Sequence, residues 1–305
     1  MSEKTTRTTR TTTPTAVAPR PDWLPEEVWP TPLRTLRVDG RTMVYSDTGG
    51  DGPVLLMVHV GLWSMVWGGL IEELRGDFRC VTLDVPGAGL SERTPPAEQT
   101  LSRASAAIGA LVDALDLREV TLAFHDTGGL AALAAVASRT ERIAGLVGVA
   151  TFAWPPRGRV RWALRVMGSA VVREVTALTG FLAWGSAGRF GVGRSMTRAQ
   201  RRACRRGMRD RSARRFTHRM FRGAVTEPEV GAAAAVAVER LADRPVLTVF
   251  GRLGDYFGFQ RRWRRLRPDA TTCVVPWGMH FPMCDDPALV GDAIRTWHAA
   301  PLPDR

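Results

Sequence analysis

The stretch Val120-Thr121-Leu122-Ala123-Phe124-His125-Asp126-Thr127-Gly128-Gly129 constrains the chain more than any other. It opens with apolar and β-branched residues that read as a buried strand. A polar pair and two glycines follow, then the alanine-rich Leu130 to Ser138, which reads as a helix. Strand, sharp turn and helix make an elbow that lifts one strained residue above the sheet, over a helix N-terminus. The lifted residue is Asp126. A carboxylate is already ionised at neutral pH and needs no general base to act as a nucleophile. The same pattern also suits an ordinary turn in which Asp126 caps the helix, so the surrounding chain has to decide.

Around this elbow, strands and helices alternate. Leu33 to Val38 and Arg41 to Asp47 flank Asp39-Gly40, a two-residue hairpin turn. Strands are predicted at Val54 to His59, Phe78 to Leu83, Ile143 to Val149, Val246 to Phe250 and Thr272 to Val275. Helices are predicted at Val66 to Leu74, Leu101 to Leu115, Glu227 to Leu241, Tyr256 to Leu266 and Pro287 to His298. Such alternation argues for an α/β fold, a mostly parallel sheet covered on both faces. It breaks once, where no strand is evident. The division is a disordered Thr-, Arg- and Pro-rich tail at residues 1–21, one core domain from 22–150 and 226–305, and a helical insertion at 151–225.

Charge follows this division. The formal charge is +12, and every cation but Lys4 is arginine. Residues 157–226 hold 18 arginines against two acids, Glu174 and Asp210, so the positive charge belongs to the insertion and not to the whole surface. The four cysteines form no CxxC pair, and the sequence shows neither a signal peptide nor an apolar run long enough to span a bilayer. Reduced thiols and a cytoplasmic setting are expected. No nucleic-acid-binding module is present, and no nucleic-acid partner is expected.

Three polar residues stand just past the ends of three predicted strands: Asp126, Asp255 and His280. In open α/β sheets, sites form at the carboxyl ends of the strands, so all three should share one rim. Their chain order, nucleophile then acid then histidine, is that of a catalytic triad on this kind of sheet. Asp126 would attack an electrophilic carbon to form an ester. His280 would take a proton from the water that cleaves it, and Asp255 would hold the imidazole.

At these residues the sequence resembles the α/β-hydrolase superfamily, in particular its haloalkane dehalogenase and epoxide hydrolase branch. The resemblance rests on Val58-His59 with the following loop and Trp67, on Asp84 with Pro86-Gly87-Ala88-Gly89-Leu90-Ser91, on His125-Asp126-Thr127-Gly128-Gly129, and on Gly278-Met279-His280-Phe281-Pro282. It covers about Trp23 to His298 apart from the insertion. It implies an α/β-hydrolase fold with an eight-stranded sheet, a helical cap at 151–225, a small-molecule substrate, no cofactor and no metal. A dehalogenase-like hydrolase is the preferred function. An epoxide hydrolase, a biosynthetic lyase or cyclase, and a non-catalytic binding protein are the alternatives.

The departures from the family pattern shape the expectations. Epoxide hydrolases usually carry Gly where this chain has Phe124, and they use cap tyrosines, whereas Tyr45 and Tyr256 both lie outside the insertion. Dehalogenases usually carry Trp where this chain has Thr127, and their second halide donor has no counterpart around Val60-Gly61-Leu62. Backbone amides of Thr127 and of Gly61 or Val60 are therefore the candidate oxyanion or leaving-group contacts. Trp63, Trp67 and Trp154 are candidate pocket residues, each equally at home in a core. His59 is expected to shape its loop, and Asp84, Gly87, Gly89 and Ser91 to build a turn. The basic insertion has three readings: a solvated arginine face, a grip on an anionic or carrier-bound substrate, or an interfacial helix at Met196 to Phe221 meeting anionic lipid. The solvated face is preferred to a membrane contact. The oligomeric state is not legible.

Overall fold

The computed structural model describes residues 13–188 and 191–300. The TTR repeats at 1–12 lie outside the described residues. The expected tail does not run through to residue 21, because Thr13–Val17 (β1) pairs antiparallel with Leu33–Val38 (β2) as an edge strand. Arg41–Asp47 (β3) completes the predicted hairpin with β2, in register from Leu33 opposite Ser46 to Val38 opposite Arg41. Asp39 and Gly40 both have positive φ, 48° and 78°, the backbone that a tight two-residue hairpin turn demands.

The chain then winds through Val54–Val58 (β4), Gly68–Leu74 (α1), Arg79–Asp84 (β5), Leu101–Ala114 (α2), Val120–His125 (β6), Gly128–Val136 (α3) and Ile143–Val149 (β7). A helical excursion follows, comprising Gly158–Met167 (α4), Ala170–Thr179 (α5), Phe181–Ser186 (α6), Arg198–Gly207 (α7) and Arg211–Thr226 (α8). The chain returns by Pro228–Arg240 (α9), Val246–Gly251 (β8), Phe259–Leu266 (α10), Thr271–Val275 (β9), Pro282–Asp285 (α11) and Pro287–Ala299 (α12).

Among the described residues the strands form one sheet in the order β1-β2-β3-β5-β4-β6-β7-β8-β9, nine strands where eight were expected, β1 being the addition. The pairs from β5 across to β9 are parallel. Parallel strands with helices on both faces bury both sides, and every residue of β6 is buried. One core lies between the sheet and α2, α3 and α9, around Ile108, Leu111, Leu130 and Leu133. The other lies under α1 and α12, around Leu70, Ile71, Val290 and Ile294.

The cap helices start where the sequence supplies caps. Ser169 accepts from the Val172 amide, Thr197 and Gln200 form a reciprocal capping box, and Asp210 accepts from the Ala213 amide. Phe152, Ala153 and Trp154, which open the expected cap interval, are buried in the core, so the helical part of the cap begins at Gly158. The cap is tied down where the Thr217 hydroxyl of α8 donates to the Gly61 carbonyl and the Trp63 indole N–H donates to the Cys204 carbonyl at 3.3 Å.

Candidate active site

Asp126 follows the last residue of β6 with φ of 52°, left-handed backbone that few non-glycine residues adopt and that Asp tolerates better than most. Such a residue persists only where its surroundings fix it. Here the Thr151 hydroxyl donates to the Asp126 carbonyl at 2.6 Å. The second glycine of the motif explains itself in the same contact: a Cβ on Gly129 would stand 2.2 Å from Thr151 Oγ1. The Thr127 amide, next in the chain, is one of the groups that favour the charged form of the Asp126 carboxylate. Burial alone would raise the pKa of this carboxyl, but the hydrogen bond and charge of His280, the nearby His125 and the Thr127 amide outweigh it. The net direction is downward, towards a permanent carboxylate.

His280 Nε2 lies 3.5 Å from Asp126 Oδ2. Its loop is held from two sides. The Met279 amide donates to Asp285 Oδ2 at 2.6 Å, and His125 Nε2 contacts the His280 carbonyl at 2.7 Å. The second contact ends a chain whose tautomers follow from hydrogen-bond logic. The Leu62 amide donates to His59 Nε2 at 2.7 Å, so His59 carries its proton on Nδ1. That proton points at His125 Nδ1, 3.2 Å away, so His125 carries its own on Nε2 and donates it to His280. Both imidazoles are neutral. Burial first, then the neighbouring His280, pushes His59 down to about 3, and the same influences push His125 well below its usual range. His59 thus shapes its loop as expected. The bracing roles of His125 and Asp285 carried no recognisable sequence signal.

Asp255 does not take the role expected of it. It shares the cavity wall with Asp126 and His280. Its oxygens, however, accept from the amides of Phe259 at 2.7 Å and Gln260 at 3.1 Å, at the start of α10. Among the described residues, the only carboxylate at ion-pair distance from the His280 ring is Asp126. A free helix end offers several amides to one carboxylate, and that demand competes with a single imidazole N–H.

The cavity above Asp126 measures about 380 Å³. Its walls are mainly apolar: Val160, Ala163, Leu164 and Met167 from α4, with Phe152, Phe250 and Phe259 from the core. Gly61 reaches this wall, whereas Val60 is buried and does not. The three candidate pocket tryptophans are not at the wall either. Trp63 is buried with its indole committed to Cys204. Trp67 stands edge-on to His125, and Trp154 packs against Trp263 beneath Arg262. Large flat side chains fill the seams between layers, where they bury the most surface. Tyr256 does line the cavity, from the loop after β8, a placement that its lying outside the cap concealed. Among the described residues no arginine lines the cavity.

The glycine-rich loop after β5 is structural. Asp84 Oδ1 accepts from the Ser64 amide at 2.7 Å and Oδ2 from the Leu90 amide at 2.8 Å, while Ser91 Oγ accepts from the Val44 amide. Among the described residues no group of three or more His, Cys, Asp or Glu side chains is arranged to hold a metal ion.

This sheet order, elbow and strand-end histidine are those of the α/β-hydrolase fold, and the family model for the alpha/beta hydrolase fold matches residues 53–172. A cis-3-alkyl-4-alkyloxetan-2-one decarboxylase of Xanthomonas campestris pv. campestris is 28% identical over 291 residues, covering 88% of this chain and 95% of that protein. Haloalkane dehalogenase 2 of Mycobacterium tuberculosis is 35% identical over 111 residues, 36% of this chain and 39% of that one. Among solved structures, a loop variant of a haloalkane dehalogenase from Bradyrhizobium elkanii superposes with a TM-score of 0.74 at 21% identity, covering 88% of this chain and 96% of the other. The chain has the α/β-hydrolase fold, and over the stretches given it is similar to haloalkane dehalogenases and to an oxetanone decarboxylase.

Proposed function

We propose that this dehalogenase-like enzyme acts on an apolar alkyl electrophile through a covalent ester on Asp126. The observation that carries the reading is an ionised, strained Asp126 facing His280 Nε2 at 3.5 Å beneath an apolar cavity. An Asp126 oxygen bonds to the substrate carbon as the leaving group departs with its electron pair. Water then attacks the ester's carbonyl carbon while His280 Nε2 takes its proton. The Thr127 amide and the Gly61 amide at the cavity wall would stabilise the oxyanion. Collapse expels the product as an alkoxide, which recovers the proton from His280. Single turnover in isotopically labelled water tests this: label should enter the Asp126 carboxylate. An unlabelled Asp126 after many turnovers excludes the water step.

One observation favours a second reading. Among the described residues no indole N–H and no side-chain amide lines the cavity, so a departing halide finds little to hold it. A strained lactone carries its own leaving group. Asp126 would open an oxetan-2-one by bonding to its C4 as the ring C4–O bond breaks, freeing a carboxylate. The C3–carboxylate bonding pair would then form the alkene as the Asp126 oxygen leaves with the C4–O pair, releasing carbon dioxide. That route uses no water, and the Xanthomonas relative matched over nearly its whole length bears a name of this chemistry. Carbon dioxide and alkene without labelling of Asp126 would mark this route. Alcohol with labelling would mark hydrolysis.

A further inference from the structure

The interfacial helix offered as one reading of Met196 to Phe221 does not present its apolar residues, since Ala203, Met208, Phe216 and Met220 are buried. The exposed apolar surface lies elsewhere in the cap. On α5, Val171, Val175 and Leu178 recur at helical spacing on one face, and Phe181 and Trp184 of α6 and Trp162 of α4 add to it. These six residues are each 53–74% exposed. Scattered exposed apolar residues are ordinary, but six on three consecutive cap helices, three of them large aromatics, are not. Beside Trp184 lies a shallow pocket of about 360 Å³ lined by Arg202, Arg205, Arg206, Arg209 and Arg214, with the Arg205 guanidinium 4.4 Å from the Trp184 ring centre. Among the described residues none of these five forms an ion pair. The cap's only acids are taken, Glu174 by Arg173 and Arg215 and Asp210 by Arg93.

We propose that the α5–α6 stripe and the arginine pocket beside Trp184 dock this protein on an anionic lipid surface. Indole and phenyl rings next to uncompensated arginines suit the boundary where acyl chains meet phosphate headgroups. A second copy is a poor occupant, because a two-fold contact would press one arginine-rich face against another. No helix among the described residues is long and apolar enough to cross a bilayer, so the contact lies on the surface. The stripe belongs to helices that also wall the cavity: α4 turns Val160 and Leu164 inward and Trp162 outward, and α6 contributes Leu182. Docking would set the cavity beside the lipid. The proposal does not depend on the chemistry assigned to Asp126.

The test is co-sedimentation of the full chain with vesicles of phosphatidylcholine alone or mixed with phosphatidylglycerol, at low and high salt. The wild type should pellet with the anionic vesicles, only weakly with the neutral ones, and less as salt rises. Phe181→Ser with Trp184→Ser should lower the vesicle affinity about tenfold. Arg206→Glu with Arg209→Glu should lower it about thirtyfold or more, and circular dichroism should show both variants folded. Absence of pelleting, pelleting indifferent to lipid charge and salt, or folded variants that bind like the wild type would each overturn the proposal. So would a concentration-dependent dimer that the serine variants abolish, since that would give the stripe to a second copy.

Discussion

His125, the residue before Asp126, hydrogen-bonds through Nε2 to the main-chain carbonyl of His280 at 2.7 Å, joining the two halves of the candidate site across 155 residues of sequence. The imidazole that faces Asp126 is thereby located through its backbone, while its ring remains free to face the carboxylate. If this bond positions His280, His125→Phe should leave KM nearly unchanged and lower kcat about ten- to a hundredfold, the effect of leaving buried polar partners unpaired. Steady-state kinetics would show the split. A variant that lost both parameters together with its melting cooperativity would reduce His125 to a packing residue.

Asp126→Asn and His280→Gln should fail differently. Asp126→Asn replaces the carboxylate with a neutral amide, a poor nucleophile, so that variant should bind substrate and remain unmodified. His280→Gln should permit attack and stall before the water step, so intact mass spectrometry should find the chain heavier by the alkyl group. Equal adduct on both variants would move the nucleophile away from Asp126.

Asp255→Asn should be mild. Its carboxylate accepts from two α10 amides, and the Asn side-chain oxygen can still cap. Turnover within about tenfold of wild type is expected. A fall of about 10⁴ would mean that Asp255 orients His280 during the reaction despite its contacts at rest.

Stability should fall on acidification, and His59 gives the direction. Its folded pKa of about 3 lies below its unfolded value near 6.5, so between those pH values the unfolded chain binds the extra proton. Stability is therefore fully present above about pH 6.5 and declines towards pH 3, by about 1.4 kcal/mol per pH unit from His59 within that window. His125 shifts in the same direction and adds to the slope. Melting temperature against pH should fall less steeply for His59→Gln than for wild type. Parallel curves would remove His59 from this account.

Much of the site was legible because it is local. Asp39-Gly40 specified its hairpin, and one strand-turn-helix pattern located Asp126. The strand-end rule brought His280 to the same rim. Asp255 reached that rim as well, but sequence does not show which of two hydrogen-bond partners a strand-end carboxylate chooses. The tryptophans misled for a related reason: an indole fills a core seam or a pocket wall equally well, and only packing decides. The strand at Thr13–Val17 hid in a tail-like composition because its pairing partner lies beyond it in the chain.

The cap leaves the sheet after β7 and re-enters at β8, and these two strands are neighbours hydrogen-bonded in parallel. The helices α4 to α8 between them therefore form a replaceable module, while α9 and the Phe152–Trp154 stretch stay with the core. The four α4 side chains that shape the cavity sit in that module, whereas Asp126, Thr127 and His280 do not. Descent with modification can exchange the chamber while inheriting the reaction, so kinship in the core foretells how a bond is broken better than whose bond it is.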